Sequence, residues 1–387
     1  MNFLTKSLIG VMASMGLVNL VYGISFPLLA LVLDQQGVSK TLIALNTATQ
    51  ALAIFVVAPL APGLMGRYSH ARIMQISAVL LALLFLLAGI YQNVWFWFPL
   101  RFVIGALTAL LWITSESLIN TLSEEQHRGR VVGFYSAIGS AGFALGPLLL
   151  IATGSSGLLP FLATVGLILM AATPLWMVAE TQSEGGAMSR RVGLWVVARA
   201  APVIMFANLI YAASVEAQIT FFPLFGMSLG LSEPSSLSLM TLIAVGGMVL
   251  IIPLGWLADR VDRMGLMVVC VMACALGFFA LPWVIGLGFV EAGVFAFFFG
   301  GVEGMIYALG VTLIGERFKG AELASATTAF TVCWGIGTIL GPLAAGVGMD
   351  LLGDHTLAWI AGLFFLFYLP LPFTAWRKRR LQAREAL

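Results

Sequence analysis

Long apolar runs separated by short polar segments dominate the pattern along the chain. Uncharged apolar stretches recur, for example at Ser7 to Leu33, Pro234 to Ala258 and Leu323 to Met349. Each reaches the roughly 20 residues that a helix needs to cross a ~30 Å hydrocarbon core. The runs are continuous, whereas strands of a membrane barrel alternate apolar and polar residues. The pattern predicts twelve transmembrane helices, at residues 7–33, 41–64, 72–91, 95–121, 129–152, 157–179, 201–228, 236–258, 266–287, 289–315, 322–346 and 356–376.

Composition excludes a soluble protein and narrows the chemistry. Of the 387 residues, 60% are hydrophobic and 9% are charged, against roughly 25% charged in a soluble domain. The chain lacks the Gly-x-x-x-x-Gly-Lys-Ser/Thr sequence that cradles a nucleotide's phosphates, so we expect no ATP-driven step. The 3 Cys lie within predicted spans and the 3 His lie outside them. We therefore expect no enzyme activity, no metal site and no cofactor.

The distribution of positive charge predicts the orientation in the membrane. Of the 19 Lys and Arg residues, all but Lys40 and Arg101 fall on the side of the membrane that carries both termini. Since cytoplasmic loops are enriched in Lys and Arg, we expect an inner-membrane protein with both termini in the cytoplasm. The net charge of +2 reflects this topology, and no separate basic patch predicts nucleic-acid binding. The run Arg377 to Arg380 is interpreted as a stop-transfer anchor in contact with anionic membrane lipid.

The second half of the sequence repeats the first half in the same direction. At an offset of 195 residues, Gly142 to Leu148 aligns with Gly337 to Leu343, and both segments carry Gly-x-x-x-Gly-Pro-Leu. At an offset of 189, Asn19 to Tyr22 aligns with Asn208 to Tyr211. A parallel repeat of six helices predicts two similar bundles related by an axis along the membrane normal. The predicted domains are residues 1–180 and 201–387, joined by a cytoplasmic linker at 181–200.

Over nearly its whole length the chain resembles the major facilitator superfamily of secondary transporters. The loop after span 8 carries Gly255-Trp-Leu-Ala-Asp259-Arg260-Val-Asp-Arg263, which is similar to the cytoplasmic gating motif of that family. The corresponding loop after span 2 ends in Gly66-Arg67, with glycine where the family usually has an acidic residue. Arg101 followed by Gly105-Ala106 resembles the family's arginine motif in span 4, which is associated with proton coupling. The resemblance implies gating roles for Asp259, Arg260, Arg263 and Arg67.

In the resembled family, spans 1, 4, 7 and 10 line a central cavity. The polar residues of this chain concentrate in the same four predicted spans, independently of the resemblance. A small-molecule substrate is therefore expected to contact side chains from these helices. The predicted substrate-cavity residues are Asn19, Tyr22, Ser25, Thr108, Trp112, Ser115, Asn208, Tyr211, Gln218 and Tyr307.

Four ionisable residues fall within these spans, and we expect them near mid-bilayer depth: Arg101, Glu116, Glu216 and Glu303. Each charge costs about 2.5–3.5 kcal/mol on insertion scales, so a paired or cavity-facing position is expected. Burial favours the protonated form of a carboxylate, which allows it to gain and lose a proton near neutral pH. We predict that Glu303 or Glu216 carries a coupling proton, that Arg101 tunes it, and that Glu116 serves the substrate or a gate. The alternative is that each acid is an interhelical strut.

The spacing on span 4 adds one constraint to this hypothesis. Arg101 and Glu116 are about 22 Å apart along one helix axis, so any partner of Arg101 has to come from another helix. The sequence thus favours a monomeric, proton-coupled exporter of an amphiphilic or cationic compound. Proton symport of a metabolite into the cell uses the same residues, and a transporter-like receptor or scaffold is the remaining alternative.

Overall fold

The computed structural model describes residues 5–178 and 199–385, and every regular element within these ranges is helical. The first part contains seven α-helices followed by a short 3₁₀ helix, and the second part contains seven more α-helices after Arg199 and Ala200. The α-helices are α1 (Lys6–Gln35), α2 (Lys40–Val57), α3 (Ala61–Arg67), α4 (His70–Ile90), α5 (Val94–Leu122), α6 (Arg128–Thr153), α7 (Leu159–Ala172), α8 (Pro202–Ser228), α9 (Glu233–Ala258), α10 (Arg263–Leu287), α11 (Phe289–Arg317), α12 (Gly320–Leu352), α13 (Thr356–Tyr368) and α14 (Pro370–Glu385).

The prediction of an all-helical membrane protein with twelve spans is confirmed. Within the described residues, 12 helical segments are long and apolar enough to cross a membrane. Large apolar side chains such as Ile252, Trp283 and Phe367 are exposed on their outer surfaces. Exposure of such side chains is expected where they contact lipid acyl chains, which are as apolar as the side chains themselves.

Proline residues cause two differences from the predicted boundaries. The second span, predicted at 41–64, ends as α2 at Val57, and α3 follows as a separate short helix that starts next to Pro62. The last span is interrupted at Leu369, before Pro370, and then continues as α14 to Glu385. Proline lacks the N–H that would continue the helical hydrogen-bond ladder, which accounts for both interruptions. The residues before Pro59 and Pro370, Ala58 and Leu369, keep helical backbone angles. The Arg377 to Arg380 run, predicted to follow the last helix, is therefore itself helical.

The chain divides into two compact units, Met1–Ala187 and Met188–Leu387. The same pairing of helices occurs in each. In the first unit α1 packs against α6, α2 against α5 and α4 against α7; in the second, α8 packs against α12, α9 against α11 and α10 against α13. The sequence repeat thus corresponds to a repeat of helix packing. Most of the predicted linker, residues 181–198, lies outside the described residues.

The Gly-x-x-x-Gly-Pro segments provide close backbone contacts in two of these helix pairs, α1 with α6 and α8 with α12. A Cβ atom on Gly142 of α6 would lie 2.2 Å from the carbonyl oxygen of Gly16 on α1. A Cβ atom on Gly337 of α12 would likewise lie 2.3 Å from the carbonyl oxygen of Leu209 on α8. Small residues let two backbones approach closely, which is a principal source of helix association in a membrane.

Candidate functional site

The Glu303 carboxylate lies at the midpoint of α11 and is hydrogen-bonded to α8. Its Oε1 accepts a hydrogen bond from Ser214 Oγ at 2.7 Å and a second from Gln218 Nε2 at 2.7 Å. Glu303 is 3% exposed and Gln218 6%. Ser214 and Gln218 are one turn apart and share a face of α8. The two donors are neutral, so each stabilises the ionised carboxylate without cancelling its charge.

Gln218 also has a buried acceptor that is not in use. Its Oε1 has no hydrogen-bond donor among the described residues, while its Nε2 lies 3.2 Å from Ser214 Oγ as well as binding Glu303. A side-chain amide has two donors and one acceptor oxygen. Rotation of the amide by half a turn would direct Oε1 toward Glu303, where it could accept the O–H of a protonated carboxyl group. The arrangement can therefore accommodate both protonation states.

An aromatic cluster lies beside the Glu303 carboxylate. The ring centroids of Tyr211 and Tyr307 are 5.8 Å apart, and those of Trp334 lie 5.7 Å from Tyr211 and 5.6 Å from Tyr307. Phe330 extends the cluster at 5.7 Å from Tyr307. Tyr307 is one turn from Glu303 on α11 and is exposed. Aromatic faces next to a carboxylate suit an organic cation, because the ring quadrupole and the charge both attract it.

Two other predicted residues of α8 do not join this carboxylate. Asn208 donates a hydrogen bond from Nδ2 to the carbonyl oxygen of Phe330 at 2.7 Å and so links α8 to α12. Glu216 is 4% exposed and lies near the middle of α8. It is two residues from both Ser214 and Gln218, and side chains two apart on a helix do not face each other. Glu216 therefore occupies a different face of α8 from the one that holds Glu303.

In the first unit, Arg101 is fully buried and bonded to α2. Its Nη1 donates to Asn46 Oδ1 at 3.2 Å and to Thr47 Oγ1 at 3.0 Å, and its Nε donates to Gln50 Oε1 at 3.2 Å. The guanidinium also lies 5.6 Å from the ring centre of Phe26 on α1. The prediction that partners of Arg101 come from another helix is confirmed.

A small cavity of about 10 Å³ lies next to this network, enough for about one water molecule. Its lining joins Tyr22, Ser25 and Thr108, three predicted residues, with Gln50. Ser25 and Thr108 donate their hydroxyl hydrogens within their own helices, to Tyr22 O at 3.1 Å and Ile104 O at 2.8 Å. Only their acceptor lone pairs are left for a bound molecule.

The remaining predicted residues of the first unit lie around Tyr22 or further along α5. The Tyr22 ring contacts Phe26 at 4.6 Å, Trp112 at 5.9 Å and Phe143 at 6.1 Å between centroids. Asn19 donates to Met15 O of its own helix at 2.8 Å. Ser115 Oγ lies 2.9 Å from Tyr135 Oη.

Glu116 differs from the prediction in depth and exposure. It is exposed and lies less than two turns before α5 ends at Leu122. α5 has nearly the bounds predicted for this span, 95–121, so the expectation of mid-bilayer depth overlooked that Glu116 lies toward the end of the helix and not near its midpoint. Arg101 is similarly close to the other end of the helix, so only Glu216 and Glu303 lie near helix midpoints.

The predicted gating motif connects α9, α10 and α11. Arg263 Nη2 donates to Asp259 Oδ1 at 2.7 Å, and Arg263 Nη1 forms an ion pair with Glu316 at the end of α11. The Arg260 guanidinium lies 3.3 Å from the ring centre of Trp256. Arg67, at the end of α3, is exposed and forms no ion pair within the described ranges. Glu316 thus joins a motif that the sequence defined without it.

Charged groups at the ends of the spans differ chemically from Glu303. In the turn after α5, hydrogen bonds from Gln126 and His127 lower the pKa of Glu124 below its usual value, so this exposed carboxylate stays ionised at neutral pH.

Across the described residues, no group of three or more His, Cys, Asp or Glu side chains is arranged to hold a metal ion.

Several partners at both sites were not predicted. Asn46, Thr47 and Gln50 form a polar face at helical spacing within an otherwise apolar span, which is a signal the sequence did contain. Ser214 matched Ser25 in the repeat at offset 189, and this match marked it as polar within span 7. Trp334 and Phe330 carried no signal, since aromatic residues are common throughout the spans.

The sequence is similar to that of a known transporter family and of individual bacterial proteins. A family model described as the Major Facilitator Superfamily matches residues 11–296. The uncharacterized MFS-type transporter YfkF of Bacillus subtilis (strain 168) is 26% identical over 343 residues, which cover 84% of each chain. The uncharacterized MFS-type transporter Ent638_1421 of Enterobacter sp. (strain 638) is 25% identical over 288 residues, which cover 73% of each chain.

Solved structures share the fold at low sequence identity. The nucleoside transporter NupG superposes with a TM-score of 0.78 at 14% identity, over 96% of this chain and 98% of its own. A D-xylose-proton symporter gives a TM-score of 0.72 at 16% identity, over 94% and 96% of the two chains. Both similarities concern the fold alone.

Proposed function

Because the chain belongs to the Major Facilitator Superfamily, we propose that it is a proton-coupled secondary transporter working by alternating access. It exports an amphiphilic or cationic small molecule in exchange for protons. The protein acts as a monomer in the inner membrane, with both termini in the cytoplasm. Glu303 carries the coupling proton, the aromatic cluster of Tyr211, Tyr307, Trp334 and Phe330 contacts the substrate, and Asp259 with Arg263 forms part of a gate.

The observation that carries this proposal is the buried carboxylate of Glu303, which is hydrogen-bonded to two neutral donors on α8. An ionised carboxylate at mid-membrane depth costs about 2.5–3.5 kcal/mol. Hydrogen bonds to a charged group contribute about 1.5–3 kcal/mol each, and Oε1 of Glu303 accepts two of them. The two hydrogen bonds together can offset this cost, so the carboxylate can be ionised in place as well as protonated. A coupling group has to alternate between these forms.

The aromatic cluster supports a cationic substrate and exchange with protons. A cation over a desolvated aromatic ring gains up to about 2 kcal/mol, and an ionised Glu303 adds charge attraction. A proton that arrives at Glu303 removes this attraction and favours release of the cation. Proton and cation then compete for one carboxylate, which is the requirement for antiport. Arg101 is held by neutral side chains on α2 and keeps its charge throughout.

The proposal can be tested in proteoliposomes with an acidic interior. Ethidium, a permanent cation, is expected to accumulate inside as protons leave, beyond the level in protein-free liposomes. Glu303→Gln is expected to abolish this accumulation, because the amide cannot exchange a proton. The matched control is Glu291→Gln, which makes the same change in the exposed first turn of α11 and should retain accumulation.

Further measurements separate the alternatives. A panel of cationic dyes, with uridine and D-xylose as neutral solutes, is assayed with the gradient in both directions. Accumulation of a neutral solute driven by an acidic exterior, and lost in Glu303→Gln, would instead indicate uptake by symport. Equal gradient-driven transport by Glu303→Gln and the unmodified protein would contradict the assignment of the coupling proton.

A further inference from the structure

A cavity of about 310 Å³ opens at one end of the second unit, away from Glu303. Its volume is at the lower end of the range for small-molecule sites. The cavity lies between the start of α8, the start of α10, the end of α11 and the middle of α14. The apolar part of the wall is formed by Pro202, Val203, Ile204, Met264, Leu313 and Ala375. The charged part is formed by Glu316, Arg317 and Arg379.

The charge of this cavity is positive in effect. Glu316 is already paired with Arg263, which lies outside the lining. Within the described parts of the chain, Arg317 and Arg379 form no ion pair, and Arg317 lies 6.0 Å from the Phe318 ring centre. The first turn of α8 also borders the cavity, and its Ala201 cap provides no side-chain acceptor. The cavity thus presents two guanidinium groups and the positive end of a helix dipole to one space.

The aromatic residues beside the cavity indicate its depth in the membrane. Trp376 follows the lining residue Ala375 on α14, contacts Phe373 at 6.0 Å and lies under the Arg380 guanidinium at 4.6 Å. Tryptophan next to arginine is typical of the headgroup region, where the ring is amphipathic and the charge reaches water. We therefore expect the arginines at the level of the lipid phosphates, with the apolar wall beside them.

We propose that this cavity binds an anionic phospholipid. Arg317 and Arg379 bind the phosphate through charge-assisted hydrogen bonds, which the forked guanidinium geometry favours. The apolar wall contacts the glycerol and the first acyl carbons. Basic pockets between transmembrane helices at a membrane face have the charge and polarity that phospholipid headgroups require. Inorganic phosphate alone would leave the apolar wall unused.

The test measures melting temperature in detergent with added lipid, since a ligand that binds only the folded state stabilises it. Phosphatidylglycerol is expected to stabilise the unmodified protein, and phosphatidylcholine with the same chains is expected to do so much less. The double variant Arg317→Gln and Arg379→Gln should bind phosphatidylglycerol about 30-fold more weakly, at about 1 kcal/mol for each arginine. The control double variant Arg128→Gln and Arg130→Gln removes the same total charge from exposed positions at the start of α6, outside the lining, and should respond like the unmodified protein.

A second variant leaves the arginines in place. Ala375→Trp fills the cavity and should prevent the stabilisation by phosphatidylglycerol, which also covers the case in which the double variant does not fold. Equal responses from the cavity and control variants would overturn the proposal. So would stabilisation by inorganic phosphate equal to that by phosphatidylglycerol, since the site would then be for a free anion. These measurements involve no transport assay and are independent of the role of Glu303.

Discussion

Arg101 and Glu303 are each buried with neutral hydrogen-bond partners, yet they can do different work. The Arg101 guanidinium keeps its proton in proteins, so its contacts with Asn46, Thr47 and Gln50 hold a fixed charge between α5 and α2. The Glu303 carboxylate can lose its charge by taking up a proton. Arg101 is therefore suited to anchoring α5 to α2, and Glu303 is suited to changing its charge during transport.

The donors to Glu303 lead to a prediction for the pH dependence of transport. Ser214→Ala and Gln218→Leu each remove a hydrogen bond that stabilises the ionised form. The proton is then held more tightly and leaves only at higher pH, so the pH of half-maximal transport should rise. A hydrogen bond of about 1.5–3 kcal/mol corresponds to a shift of about one to two pH units. The measurement is the pH profile of exchange in proteoliposomes.

Ser228→Ala is the control for this prediction. Ser228 lies at the end of the same helix and donates to a backbone carbonyl, Phe225 O at 2.7 Å. Its pH profile should match that of the unmodified protein. An unchanged or acid-shifted midpoint in both donor variants would show that the two hydrogen bonds do not set the proton affinity.

At the residue scale, the sequence identified charged residues better than their partners. Glu303 was predictable because a carboxylate in an apolar span needs a compensating reason to be there. Asn46 and Gln50 have a smaller desolvation penalty, so their presence in α2 did not require a charge nearby. Trp334 joins Tyr211 and Tyr307 only because α12 packs against α8, and this contact is not contained in local spacing.

At the scale of elements, close glycine contacts support a prediction about helix packing. Gly142→Ala would place a Cβ atom 2.2 Å from Gly16 O and force α1 and α6 apart. Overpacking of this kind typically destabilises by about 1–3 kcal/mol. The melting temperature in detergent should fall. Gly133→Ala, on the same helix with nothing within 4 Å of its Cβ position, is the control and should melt at or above the original temperature. Equal melting temperatures for the two variants would refute the packing role.

Element boundaries were predictable where the physical signal is simple. An uncharged run of sufficient length identified the spans, because the bilayer thickness sets the length. The end of α2 at Val57 was missed, although Pro59 and Pro62 follow it, because hydropathy continues unchanged through the prolines. The extension of α14 to Glu385 was missed because a run of charges ends an apolar pattern without ending a helix.

At the scale of the whole molecule, the asymmetry of Lys and Arg predicts the orientation. Single cysteines introduced as Gln36→Cys and Val261→Cys occupy exposed positions between helices, and the predicted topology puts these two positions on opposite sides of the membrane. In intact cells a membrane-impermeant maleimide should label Gln36→Cys, whereas Val261→Cys should need permeabilised cells. The unmodified protein is the background control, since Cys270 and Cys274 are buried and Cys333 is half-buried. The reverse labelling pattern would show that the orientation in the membrane is opposite to the predicted one.

The repeat was predictable at this scale because the two halves carry identical small residues at equivalent positions. Gly142 and Gly337 align at offset 195, and each lies against the backbone of another helix of its own unit. The repeat therefore predicted two similar bundles, while the pairing of helices within each bundle comes from the structure. The same offset puts Thr108 opposite Glu303, so the sequence already showed that this acid has no acidic counterpart in the first unit. The two units share their packing and differ in their chemistry.

The two hydrogen bonds from α8 to one carboxylate oxygen on α11 tie the register of these helices to a proton. At 2.7 Å each, they would be broken by a slide of one residue, a rise of about 1.5 Å. While Glu303 is ionised, such a slide would strand a charge away from its donors. Once the carboxyl is neutral, the same slide loses far less. Protonation of Glu303 thus weakens the link between α8 and α11, so sliding of these helices is favoured only after the proton has bound.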